Sequence, residues 1–116
     1  MRTRAVAALI AAGLLATLTA CSSDPTYTVV DVRDNGIMRM ADLQLPDATQ
    51  AQAEQAIRDY TDTIDGPKWA TVTLYRDLAD GELCRGTWVK DQQTSEKLSG
   101  GSFTSDTWPA LQVQCP

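Results

Sequence analysis

The side chains best suited to chemistry in this chain are its carboxylates and cysteines, because it contains no histidine at all. Asp77, Asp80 and Glu82 fall close together in one turn-like stretch. A pair of carboxylates can cleave a glycosidic bond as acid and base, and clustered oxygens can hold calcium. The spacing is not that of a calcium-binding helix–loop–helix. The simpler reading is a solvated turn that keeps a hairpin polar. Nucleophilic hydrolysis needs a nucleophile and a base within hydrogen-bond reach. The commonest base is absent, and no Gly-x-Ser-x-Gly, Ser-x-x-Lys or phosphate-cradling glycine loop occurs. The expectation is therefore no catalytic residue, no metal and no cofactor.

The N-terminus carries a different chemistry. Arg2 and Arg4 come first, no acidic residue appears before Asp24, and every residue from Ala5 to Ala20 is apolar or small. A short cationic segment followed by a short apolar one is the plan of a secretory signal. It falls short of the roughly 20 apolar residues of a membrane span. Leu18-Thr19-Ala20-Cys21 then resembles the lipobox of bacterial lipoproteins. The resemblance implies cleavage before Cys21 and a diacylglyceryl group on its thiol. Residues 1–20 would be the signal peptide, 21–26 a lipidated tether, and 27–116 a single domain on the extracytoplasmic face of the cell membrane. The alternative is an ordinary signal peptide whose cleavage site lies beside a cysteine.

Removing residues 1–20 takes two of the ten cations and none of the fifteen acids, leaving eight against fifteen, a formal charge of −7. Such acidity argues against nucleic acid as a partner and against a polybasic grip on anionic lipids. With Cys21 assigned to lipid, Cys84 and Cys115 remain as an even pair. In an oxidising compartment that predicts a disulfide, closing a loop worth on the order of 3–4 kcal/mol. Two free thiols are the alternative. Without histidine, these cysteines do not make a zinc site.

The elements follow from residue pattern. Tyr27 to Val32 is β-branched and aromatic, as strands are. Asn35-Gly36 is a hairpin signal, since both residues tolerate positive φ. Ile37 to Leu45 alternates as a second strand. Thr49 with Gln52 has capping-box spacing, as does Asp47 with Gln50 one turn earlier. Ala53, Ala56, Ile57, Tyr60 and Ile64 then form one helical stripe, stopped by Gly66-Pro67. Strands are expected at Lys68–Arg76 and Leu83–Lys90, a polar loop from Asp91 to Gly101, and a short strand at Leu111–Gln114. The order β-β-α-β-β predicts an α+β fold: an antiparallel sheet with one helix on one face, and a C-terminal tail tied by the disulfide.

The mature chain is also similar to small lipoproteins of unassigned function from actinobacteria and their phages. The shared features are Tyr27-Thr28-Val29, the Asn35-Gly36 hairpin, the helix from about Thr49, and Val72-Thr73-Leu74-Tyr75-Arg76-Asp77. The similarity covers residues 26–90 and brings no catalytic residues with it. It implies a surface role such as prophage modification of the host envelope or exclusion of a second phage. Ala70, Val72 and Leu74 share one side of their strand, whereas Trp69, Thr71, Thr73 and Tyr75 share the other with Met38 and Met40. If the helix covers the first side, Trp69 and Tyr75 mark a binding face. Alternatively the tail, with Phe103, Trp108 and Leu111, folds over that face as a second small core. A period of two does not decide which face the helix takes. The leading expectation is a membrane-anchored module binding an unidentified envelope or exported protein. The others are a small inhibitor of a secreted enzyme, a carboxylate-dependent envelope hydrolase, and a structural subunit without a ligand.

Overall fold

The computed structural model describes residues 26–116, so the expected signal segment and Cys21 lie outside the described residues. Strand β1 (Thr28–Asp34) and β2 (Met38–Gln44) form a hairpin, followed by helix α1 (Gln50–Thr61) and β3 (Trp69–Tyr75). A 3-10 turn (Leu78–Asp80), β4 (Glu82–Val89), helix α2 (Gln92–Ser99) and β5 (Ala110–Gln114) complete the chain. The strands make one five-stranded sheet in chain order, an α+β architecture. No helix of the described residues is long and apolar enough to cross a membrane.

The hairpin turns at Asn35-Gly36, although of the two only Gly36 takes positive φ. The Asn35 side chain accepts the N–H groups of Ile37 and Met38 at 3.0 and 2.8 Å, and Gly36 takes φ +91°. One pairing departs from the wholly antiparallel expectation: β2 and β3 run parallel, while every other neighbour is antiparallel. The cause is α1. A strand–helix–strand crossover carries the chain back to its starting end, so the next strand repeats the direction of the first.

Helix α1 opens with the predicted capping box, Thr49 and Gln52 exchanging bonds of 3.1 and 3.0 Å. It buries Ala53, Ala56, Ile57 and Tyr60 against Ala41, Leu43, Val72, Leu74 and Cys84. It also ends earlier than the Gly66-Pro67 stop suggests. The Thr61 and Thr63 hydroxyls donate to the carbonyls of Arg58 and Tyr60, satisfying the last turn, and Ile64 packs on the core from beyond the helix. Beneath α1, Gly86 has no side chain for a reason. A Cβ there would lie 2.5 Å from Ile57 Cγ2, so glycine permits the close approach of helix and sheet. At the other end, the phenol of Tyr27 donates to Asp59 at 3.0 Å, and partial burial with that carboxylate pushes its pKa up to about 12.

The segment expected as a loop contains α2. Its buried side consists of Thr94 and Ser95 rather than apolar residues, so there was no hydrophobic stripe to find. The Ser95 hydroxyl donates to the carbonyl of Phe103, and that of Ser99 donates to the carbonyl of Ser95 at 2.7 Å. The cap signals were there: Asp91 accepts from the N–H and hydroxyl of Thr94 at 2.8 and 2.7 Å, and Gly100 is left-handed at φ +65°. The Thr94 hydroxyl, its N–H, and the nearby Lys68 and Lys90 hold the Asp91 carboxyl below its ordinary range. A depressed carboxylate contributes stability above the unfolded pKa and loses it as pH falls through the folded one. Asp91→Ala should therefore lower the thermal midpoint near neutral pH. The gap from the wild type should close as pH drops below the carboxylate range, which a pH series of melts would show.

Candidate functional site

Direct cross-strand partners point to the same side, so the registers assign each face of the sheet. Ala41, Val72 and Gly86 lie in one row beneath α1. Met38, Trp69 and Val89 share a row on the opposite face, as do Met40, Thr71 and Thr87. The helix thus takes the Ala70–Val72–Leu74 side of β3.

The structure separates the two aromatics expected to form a binding face. Trp69 and Tyr75 stand six positions apart on β3, about 20 Å at the rise of a strand. The Trp69 ring lies 6.0 Å from that of Phe103, which lies 6.1 Å from Trp108. Together with buried Val89 and Ala110 these rings make a second small core. The tail and α2 therefore close the Trp69 end of this face, while Tyr75 stays half-buried at the far end, opposite Gln44.

What remains open is the part of the face built from β1 and β2. Met38 and Met40 are 40% and 46% exposed. With Arg33, Asp34 and Asn35 they line a hollow of about 340 Å³. Arg33 is held across this surface by Asp31 at 3.1 Å and Asp42 at 3.3 Å. Asp34 meets the Gly36 N–H and the Arg39 guanidinium, which hold its carboxyl below the ordinary range. Methionine side chains are unbranched and polarizable, and they adapt to irregular apolar partners. Arg33 sets a positioned charge beside them.

Charge is also sorted in space. The only three lysines, Lys68, Lys90 and Lys97, collect at one end of the sheet, where the Lys90 N–H bonds the Lys68 carbonyl at 2.9 Å. Lys68 and Lys97 line a second hollow, of about 210 Å³, with exposed Ile37 and Leu98. Among the described residues every ion pair uses an arginine. Net charge alone hid this grouping of lysines around Asp91. The clue in the sequence is positional: Lys68 immediately precedes a strand and Lys90 immediately follows its antiparallel neighbour, which places both at one edge.

The cysteines and two of the three turn carboxylates are engaged in structure. Cys84 and Cys115 form the expected disulfide. In the acidic turn, Asp77 accepts from the Ala79 N–H at 3.0 Å and Glu82 pairs with Arg85. Among the described residues no group of three potential ligands is placed to hold a metal ion. No family model, curated protein or solved structure matches this chain.

Proposed function

We propose that this chain is a lipoprotein anchored by Cys21 to the extracytoplasmic face of the cell membrane, and that its domain binds an envelope component or an exported protein. The anchor reading rests on Leu18-Thr19-Ala20-Cys21 behind a short apolar segment. Two or more acyl chains make a lasting attachment, each buried methylene adding about 0.8 kcal/mol. The binding reading rests on one observation: Met38 and Met40 lie exposed together on a sheet face whose Trp69 end is closed by the tail. Large apolar side chains grouped on a surface mark interaction sites more often than scattered ones.

Two experiments test it. Replacing Cys21 with serine in a bacterial host should move the protein out of the membrane fraction or leave an uncleaved precursor. Unchanged partitioning into detergent would exclude the anchor. For the face, Met38→Glu with Met40→Glu should leave the thermal midpoint nearly unchanged and abolish partner recovery by crosslinking in intact cells. Trp69→Ala should do the reverse, lowering the midpoint because it opens the second core. Partner recovery that survives the double methionine variant would overturn this site.

A further inference from the structure

Strand β1 is an edge of the sheet and pairs only with β2 among the described residues. An edge presents a row of free backbone donors and acceptors to any incoming strand. This one reads Thr28-Val29-Val30-Asp31-Val32-Arg33-Asp34, with Val29, Val30 and Val32 exposed by 44%, 41% and 43%. Helix α1 packs mainly over β3, β4 and β5. Val29 and Val32, which lie beside Leu43 and Ala41 on the helix side, therefore carry the apolar surface out past its cover.

Charges on an edge ordinarily discourage pairing. Here their signs alternate about Val32, and that selects one partner. Antiparallel pairing of two β1 strands about a two-fold axis normal to the sheet keeps every side chain on its own face. Such an axis must pass beside a residue that meets its own copy. Centred on Asp31, it opposes two carboxylates; centred on Arg33, two guanidiniums. Centred on Val32, it sets Asp31 of each copy opposite Arg33 of the other and brings the two valines together. Asp31 and Arg33 already lie 3.1 Å apart in one chain, so the pairing closes a cluster of alternating charge.

We propose that β1 is a homotypic interface, centred on Val32, through which two copies join their five-stranded sheets into one of ten strands. Val30 is the extra residue where the register shifts between Val29 and Asp31, and about Val32 it would meet Asp34, so the regular ladder is limited to residues 31–33. The dimer is therefore reversible rather than obligate. This inference rests neither on the lipid anchor nor on the methionine face.

The test uses the full-length chain produced in a bacterial host. Val32 meets its own copy, so Val32→Cys alone should give a covalent homodimer on mild oxidation. Leu78→Cys, exposed in the 3-10 turn away from β1, should remain monomeric. Adding Arg33→Asp to Val32→Cys should cut the dimer yield roughly tenfold, because like charges then face each other. Adding Asp31→Arg as well restores the alternation and should restore the yield. The proposal is overturned if Val32→Cys gives no more dimer than Leu78→Cys, or if charge reversal leaves the yield unchanged. A crosslinked product containing a different protein overturns it equally.

Discussion

Ile57→Asp is expected to unfold the domain. Ile57 is fully buried at the centre of α1, directly above Gly86. The substitution removes a branched apolar side chain, a loss of about 2–5 kcal/mol for a truncated core residue. It also forces a carboxylate into a site among Val72, Leu74 and Cys84 with no cation to meet it. A domain of this size has only about 5–15 kcal/mol to lose. Circular dichroism should show the helical signal gone, or a urea transition moved almost to zero denaturant. Glu54→Ala, on the outer side of the same helix and paired with Arg58 at 2.9 Å, should change stability by less than about 1 kcal/mol. A cooperative, near-native melt of Ile57→Asp would mean that helix and sheet do not pack as described.

The second large effect belongs to the disulfide. Cys84 is buried in β4 beneath α1, and Cys115 follows β5, the outermost strand on that side. β5 contributes five residues and pairs only with β4 among the described residues. The covalent tie closing 31 positions of chain adds to the packing of Leu111 and Val113 on the main core and of Ala110 in the second. Cys115→Ala should cost on the order of 3 kcal/mol. It should also raise hydrogen exchange at Ala110–Gln114 more than in β2 or β3, because an untied edge strand opens locally. Non-reducing mass spectrometry of the native protein should find two hydrogens fewer than in the reduced form. Two thiols open to alkylation after denaturation would contradict the bond.

Much of this molecule is decided within short stretches of chain. The Asn35-Gly36 turn, the Thr49–Gln52 cap and the stripe through Ala53, Ala56, Ile57 and Tyr60 each depend on residues a few positions apart. Backbone preference and local hydrogen bonds determine them, and so they are legible. The pairing of Cys84 with Cys115 is legible for another reason: once Cys21 is set aside, only one partner is left. Helix α2 lay at the limit. Its caps are local, but its buried side is Thr94 and Ser95, and the Ser95 hydroxyl finds its partner in the distant Phe103 carbonyl.

Other features depend on groups far apart in sequence. Alternation along β3 separates Trp69 and Tyr75 from Val72 and Leu74, but it cannot say that Phe103 and Trp108 fold back onto one end of that face alone. The parallel pairing of β2 with β3 follows from where a helix returns the chain, and the gathering of three lysines follows from the registers of the strands they flank. A strand's period of two defines two faces and nothing about their cover. Long-range packing decided that Trp69 joins the second core while Met38 and Met40 are surface, because Phe103 and Trp108 cover one end of that face and leave its β1 and β2 part exposed.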